Sequence, residues 1–142
     1  MSIRLIPIIL ASLAVVACTD LVVVGHDSVE LRTDRTAYAL GERGELTLSN
    51  RRRDEVGFNR GLCPLYVEER IGGGWRSAAE QFREVCTLAL DELPPGRSTV
   101  RSFRISSPPF RPGGEYRLVV GVEDRRTAEA VVVYSNAFRV ED

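Results

Sequence analysis

The stretch that decides the fold is Tyr116-Arg117-Leu118-Val119-Val120-Gly121-Val122. Every second residue from Tyr116 to Val122 is apolar, which is the period-two pattern of a β-strand with one face against a core. The turn signal Pro112-Gly113-Gly114 precedes it, and the charged segment 123–127 follows it as a hairpin loop. We therefore predict a strand here and expect it to lie in the centre of a sheet.

Similar patterns on both sides of this stretch predict further short strands. Upstream they cover residues 29–33, 45–49, 56–58, 65–71 with a return that opens at Trp75, and 98–105. Downstream, residues 130–134 and 137–140 form a last strand, with a bulge or kink at Ser135-Asn136. The unbroken apolar run 131–133 is typical of a strand in a sandwich core.

Turn signals separate these segments. Gly72-Gly73-Gly74 ends the 65–71 strand, in which Leu65, Val67 and Ile71 are predicted to line one face. These glycines indicate a hairpin turn, because the Lys-Ser/Thr of a phosphate loop does not follow them. Only residues 77–85 have the composition of a helical turn. About seven short strands without a long amphipathic helix predict an all-β class, an antiparallel β-sandwich.

Composition and charge exclude some classes of function. The formal net charge is −1, and every cationic residue is an arginine. This balance lacks the basic footprint of a nucleic-acid-binding protein, so no nucleic acid is expected as a partner. Carboxylates come in adjacent pairs such as Glu68-Glu69, and neighbours on a strand point to opposite faces. We therefore expect solvated surface rather than an acid/base dyad, with a calcium site on a loop as the alternative.

The N-terminal segment has features of a targeting signal. Residues 5–16 are almost wholly apolar, and Val15-Val16-Ala17 precede Cys18. This segment resembles a bacterial lipoprotein signal sequence, which is cleaved before a cysteine that then carries lipid. The apolar run is shorter than the roughly 20 residues that span a bilayer. An uncleaved anchor and a plain secretory signal remain as alternatives.

The resemblance implies a division of the chain and a location. It makes residues 1–17 a signal peptide, 18–28 a tether and 29–142 the folded domain. Lipid on Cys18 would hold the protein to the membrane of the bacterial cell envelope, facing the periplasm. Thr19 after the cysteine favours the outer over the inner membrane, as it does in enterobacterial-type lipoproteins.

The two remaining cysteines predict a disulfide. An exported chain meets an oxidising compartment, where an even number of cysteines usually pairs, here Cys63 with Cys86. A metal site is the weaker alternative, because the only histidine, His26, lies near the tether. The same position makes His26 a poor catalytic base. We expect no metal, no cofactor and no enzyme.

An ordered set of short motifs points to a family. These are Tyr38-Ala39-Leu40-Gly41, Cys63-Pro64, Gly74-Trp75, Pro112-Gly113-Gly114-Glu115-Tyr116 and Ser135-Asn136-Ala137-Phe138. In this order they resemble the bacterial immunoglobulin-like domains of exported and lipid-anchored proteins. The resemblance implies an immunoglobulin-like sandwich without shared catalytic residues. A tyrosine at the position of Tyr116 can hydrogen-bond backbone upstream, and Asn50 can turn the chain. Leu118 stands where antibody-type domains have a cysteine.

Four residues are candidate partner contacts. Arg51, Arg52 and Arg53 form the densest cationic run, suited to anionic lipid, lipopolysaccharide or an acidic protein. Trp75 would be a binding hot spot if exposed. The favoured function is a non-enzymatic binding or scaffold module with a protein partner in the envelope. The alternative resembles bacterial proteinase inhibitors of small β-sandwich type, with residues 51–60 or 77–88 presented to a protease cleft.

Overall fold

The computed structural model describes residues 28–78, 86–87 and 89–142. This part of the chain is all-β, with eleven strands and no helix. The strands are β1 (Val29–Thr33), β2 (Ala37–Ala39), β3 (Arg43–Asn50), β4 (Val56–Asn59), β5 (Tyr66–Ile71), β6 (Gly74–Ser77), β7 (Leu90–Leu93), β8 (Ser98–Arg104), β9 (Glu115–Asp124), β10 (Ala130–Tyr134) and β11 (Phe138–Glu141). The predicted signal peptide, Cys18, His26 and nearly all of the tether lie outside the described residues.

β9 is the centre of the larger sheet, as its sequence predicts. Three strands form one sheet, in the order β1-β3-β8, and the other eight form the second. The first half of β9 lies between β11 and β5, and its second half lies between β10 and β4. Its four alternating apolar residues, Tyr116, Leu118, Val120 and Val122, are all buried.

The inner sides of the two sheets share one apolar core, in a β-sandwich-like arrangement. Leu46 and Leu48 of β3 meet the inward residues of β9 in this cluster. One end of the core is aromatic: the ring centroids of Tyr38 and Phe138 lie 5.2 Å apart, edge to face. Gly44 permits this packing, because a Cβ there would lie 2.5 Å from the Phe103 ring. Burial of this apolar surface is the main stabilising contribution to the fold.

The prediction of about seven strands is wrong, since the described residues contain eleven. Sequence reasoning missed β2, which pairs in parallel with β11, and β7, which pairs with β4. Both are only three or four residues long. A strand so short carries too few alternations to produce a period-two signal.

The prediction that run 131–133 lies in the core is also wrong. Val131 and Val132 are 39% and 55% exposed, and only Val133 is buried. β10 is an edge strand with one side chain face outside the core, so its apolar run does not indicate burial on both faces. Ile71 is likewise 42% exposed, because β5 runs past the core into its hairpin with β6.

The predicted kink at Ser135-Asn136 is confirmed. Residues 135–137 separate β10 from β11, and both strands pair with β9. The Ser135 hydroxyl accepts the Leu118 N–H at 2.9 Å. The Asn136 side chain accepts the Thr33 N–H at 2.9 Å and donates to the Thr33 hydroxyl at 2.7 Å. The kink therefore joins the larger sheet to β1 of the smaller one.

The predicted disulfide is confirmed. Cys63 and Cys86 are bonded, with 5.5 Å between their Cα atoms. The bond ties the connection between β4 and β5 to the chain that leads into β7. It joins two segments on the side of the larger sheet rather than crossing the core. In the part of the chain that the structure describes, no helix is long and apolar enough to span a membrane.

Candidate interaction face

The outer side of the larger sheet carries a row of apolar side chains across three strands. Val119 of β9 lies opposite Tyr66 of β5 on one side and Tyr134 of β10 on the other. The two tyrosines are 49% and 45% exposed, and Val119 is buried between them. Next to this row, Val132 of β10 lies opposite Gly121 and is also exposed. Alternation explains the arrangement, because residues 117, 119 and 121 point away from the core.

Arg117 organises the aromatic side chains of this surface. Its guanidinium lies 4.0 Å from the centroid of the Tyr134 ring and 4.5 Å from that of Trp75. Its Nε atom donates to the Glu68 carboxylate at 2.6 Å. Both ion-pair partners are about four-fifths covered. Cation–π contact and a charge-assisted hydrogen bond therefore hold the guanidinium in one place.

Trp75 is half-buried at the hairpin end. Gly72 and Gly73, both at positive φ, form the turn between β5 and β6, which confirms the hairpin. Trp75 lies opposite Arg70, whose guanidinium is 5.8 Å from the ring centroid. Hereafter Tyr66, Trp75, Arg117 and Tyr134 are called the aromatic–arginine face.

A cavity adjoins this face at Tyr66. It has a volume of about 190 Å³, and its walls include Leu62, Pro64 and Tyr66. Gly121 forms part of its floor, and no atom lies within 4 Å of where a Cβ would stand. The absence of a side chain at position 121 thus leaves a depression on an otherwise continuous sheet surface.

The structure does not bring the Arg51–Arg53 run to this face. Arg51 pairs with Glu30 at 2.9 Å, and Arg52 forms a short ion pair with Asp124. Arg53 is exposed. Asp124 ends β9, whereas Arg117 lies near its beginning, roughly 23 Å away at 3.3 Å per residue. Two of the three predicted contact arginines are therefore engaged within the domain.

The Arg52–Asp124 pair closes one end of the sandwich. The Arg52 guanidinium, with the Arg126 and Thr127 N–H groups, holds the pKa of Asp124 below its ordinary value. Asn50 confirms its predicted turn role: its side chain accepts the Arg52 N–H at 2.9 Å and donates to the carbonyls of Asp54 and Leu93. These bonds fix the 51–55 loop against the sheet.

Two buried tyrosines have polar hydrogen-bond partners. Tyr116 forms the predicted corner: its hydroxyl accepts the upstream Arg111 N–H at 3.0 Å. The Tyr38 hydroxyl donates to Asp34 at 2.6 Å. Burial, followed by this hydrogen bond, raises the pKa of Tyr38 to about 12. Both phenols therefore stay protonated at neutral pH and serve as hydrogen-bond partners.

The acidic pairs were expected to be solvated surface. In the structure their carboxylates instead form ion pairs with arginines. The Arg60 side chain donates hydrogen bonds to both carboxylate oxygens of Asp91, which lowers the pKa of this carboxyl. Glu92 and Glu123 share Arg125, at 3.1 and 2.8 Å. Within residues 28–78, 86–87 and 89–142, no three metal-ligating side chains come together.

Sequence reasoning found one member of the aromatic–arginine face, Trp75, and missed the other three. The sequence contains a signal for two of these three residues. Tyr66 lies between the inward residues Leu65 and Val67, and Tyr134 follows the inward Val133. Exposed aromatic residues indicate a contact surface where they lie together on one face of a sheet. Only the sheet order shows that these strands are neighbours.

Comparisons with known proteins find structural similarity but no matching protein family. No protein-family model matches the chain, and no curated protein matches it. Among solved structures, the sporulation control protein Spo0M from Bacillus subtilis is similar, with a TM-score of 0.44, 12% identity, and coverage of 84% of this chain and 51% of that one. A ceramidase complexed with C2 gives a TM-score of 0.39 at 15% identity, with coverage of 81% and 18%. The chain spans about half of the first protein and under a fifth of the second.

Proposed function

We propose that this protein is a non-enzymatic, lipid-anchored binding or scaffold module of the bacterial cell envelope, with an immunoglobulin-like fold. Residues 1–17 are the signal peptide in this proposal, and Cys18 carries the lipid. Its partner is a protein of the envelope. The module needs no cofactor.

Two features of the described domain support the immunoglobulin-like assignment. The chain leaves the smaller sheet after β1 and joins the larger one at β2, beside the last strand. Tyr116 makes the corner hydrogen bond to backbone five residues upstream. The disulfide departs from the antibody pattern, because Cys63 and Cys86 pin a loop on one side of the sandwich.

The aromatic–arginine face carries the functional proposal. Tyrosine, tryptophan and arginine are the residues that dominate binding energy at protein interfaces. Here all three types lie together, and the guanidinium is already fixed by Glu68. A side chain that is ordered before binding loses less conformational entropy when the partner arrives. The neighbouring depression at Gly121 gives a partner's apolar side chain a place to insert.

In the inhibitor alternative, the first bait segment is exposed mainly at residues 51–55. Residues 51–60 include β4, which is paired on both sides with β7 and β9. Val56 and Phe58 within it are buried. A protease cleft binds an exposed extended loop, and this segment offers none beyond 51–55. The second segment, 77–88, lies largely outside the described residues.

Photo-cross-linking in the cells that produce the protein tests the functional proposal. A photoreactive amino acid at position 66 should yield one dominant protein adduct. The matched control is position 100 in β8, because Val100 is 57% exposed on the outer side of the smaller sheet. The proposal expects at least a tenfold higher adduct yield from position 66. Equal yields from both positions would contradict it.

Fractionation tests the anchor separately. Cys18→Ala should move the protein from the membrane fraction to the soluble periplasmic fraction, because the acyl chains would be absent. A membrane-bound C18A variant would overturn the lipidation proposal and leave the binding face unaffected.

A further inference from the structure

The aromatic–arginine face supplies mainly hydrogen-bond donors. Within the residues that the structure describes, no hydrogen bond engages the hydroxyl of Tyr66 or Tyr134 or the indole N–H of Trp75. A phenol can donate, an indole N–H only donates, and a guanidinium has donors and no acceptor. The Glu68 carboxylate already accepts from Arg117 Nε at 2.6 Å. A ligand of this face therefore needs acceptors and gains little from donors of its own.

The backbone beneath this face is occupied by the sheet. β9 is paired on both sides, with β5 and β11 along its first half and with β4 and β10 along its second. A chain that crosses this surface is therefore recognised by side chains alone. Ordinary peptide N–H groups would lose water above the apolar side chain of Val119 without gaining a partner, which costs free energy. Proline has no N–H and avoids this cost.

The spacing of the exposed tyrosines fits the repeat of a polyproline II helix. Tyr66 and Tyr134 flank Val119 on neighbouring strands, so their Cα atoms lie two strand spacings, roughly 10 Å, apart. A polyproline II helix has about three residues per turn and rises roughly 3.1 Å per residue, which gives a repeat of about 9 Å. Residues i and i+3 of such a helix can therefore contact one tyrosine each. The residues between them lie over Val119 and the depression at Gly121.

We infer that the aromatic–arginine face binds a proline-rich segment in the polyproline II conformation. This inference rests on the proposed function, because it names the chemistry of the partner at the same site. The proline rings pack on Tyr66 and Tyr134, and the phenol and indole groups donate to the backbone carbonyls of the segment. Such a segment is largely ordered before it binds, so it loses little conformational entropy on the face.

The small size of the contact predicts a weak complex. One or two turns of the helix meet four side chains, which is well below the 20–30 residues a side of a standard interface. We expect a Kd on the order of 10⁻⁴ M for a short peptide. Trp75 is the only tryptophan of the chain, so its fluorescence reports on this face alone.

Titration of the full-length protein in detergent solution with a decamer of proline tests the inference. Trp75 fluorescence should change and saturate as the peptide concentration rises to about 1 mM. A decamer of D-proline forms a helix of the opposite hand and should bind at least tenfold more weakly. The same titration is made with a Thr-Val decamer, which favours a β-strand, and with a chitin hexasaccharide. Both should bind more weakly than the proline decamer.

Calorimetry of variants locates the site and tests the donors. Tyr66→Ala and Tyr134→Ala should each weaken decaproline binding at least tenfold. Tyr66→Phe keeps the ring and removes the donor, so it should weaken binding roughly threefold. Gly121→Val fills the depression and should weaken binding at least fivefold, although no atom lies within 4 Å of its Cβ. Val100→Ala is the matched control and should change the affinity less than twofold, and unfolding curves establish that each variant folds.

Several results would overturn the inference. These are no saturation at 1 mM, equal binding of the two mirror-image decamers, or a Tyr66→Phe variant that binds as tightly as the unmodified protein. Tighter binding of the Thr-Val decamer or of the hexasaccharide would assign the face to an added strand or to a sugar chain and would also contradict it.

The position-66 cross-link separates this inference from the proposed function. The attachment point on the partner, mapped by mass spectrometry, should lie in a proline-rich segment. A dominant adduct attached elsewhere would overturn the inference and leave the binding module standing. Equal adduct yields from positions 66 and 100 would instead overturn the proposed function.

Discussion

The two outer faces of the sandwich follow the same alternation and carry different chemistry. On the smaller sheet, the Ser49 and Ser98 hydroxyls lie 2.8 Å apart, and Thr47 lies between Arg32 and Val100. On the larger sheet, the corresponding outward row is Tyr66, Val119 and Tyr134. The fold needs apolar residues only on the inner side of each strand.

The difference separates folding from binding. The smaller sheet forms with mainly polar residues on its outer side. The fold itself therefore does not require aromatic side chains on the outer side of the larger sheet. Arg117 lies between Trp75 and Tyr134 there, and under the proposed function these side chains contact another molecule. A substitution that affects one face and leaves the other intact tests this difference.

Loss of the disulfide should have the largest effect, and it should affect one sheet more than the other. Cys63→Ala with Cys86→Ala should lower the free energy of unfolding by roughly 3.5 kcal/mol, because the unfolded chain gains loop entropy. Chemical denaturation measures this loss. Hydrogen exchange should show β5, next to Cys63, losing more protection than β3 of the smaller sheet. Equal loss in β5 and β3 would contradict the one-sided role of the bond.

Substitutions on the aromatic–arginine face should affect binding without affecting stability. Tyr66→Ala and Tyr134→Ala should each weaken binding of the cross-linked partner by about 2 kcal/mol, or roughly 30-fold. Titration calorimetry with the purified partner measures the change. Val100→Ala is the control and should alter the affinity less than twofold. A similar loss from V100A would remove the distinction between the faces.

Asn136→Ala should weaken the link between the sheets. It removes the acceptor of the Thr33 N–H and leaves that partly buried group without its protein partner. The expected cost is about 1.5 kcal/mol of unfolding free energy. Asn136→Asp retains the acceptor but loses the donor to the Thr33 hydroxyl, so its loss should be smaller. Thermal and chemical unfolding of both variants give the order, and the reverse order would count against the described bonds.

Tyr38→Phe should have little effect on binding at neutral pH and a specific effect in alkali. The folded pKa of Tyr38 is raised to about 12, above its ordinary value of 10.0. A raised folded pKa stabilises the fold below pH 10 and loses that contribution as pH rises toward 12. The unmodified protein should therefore lose more stability across this window than Y38F. Parallel curves for both proteins would show that Tyr38 does not titrate on unfolding.

Much of the fold could be predicted from local pattern, and the face could not. The period of 116–122 predicted both the strand and its central place, and Ser135-Asn136 predicted the kink. The core assignment of 131–133 was wrong because an apolar run does not say whether a strand lies at an edge. The contact between Arg117, Trp75 and Tyr134 depends on three strand pairings, of which that between β5 and β9 joins residues about 50 positions apart in the sequence. The spacing of residues in the sequence does not specify which strands are neighbours in the sheet.

Oxidative footprinting in the cells that produce the protein tests the central claim most directly. Hydroxyl radicals label exposed side chains, and the pattern is compared with that of the purified monomer. The account predicts that labelling of Tyr66, Trp75 and Tyr134 falls severalfold in the envelope, while Val100 and Leu40 are labelled as before. Unchanged labelling of the three aromatic residues, or protection of Val100 instead, would contradict it.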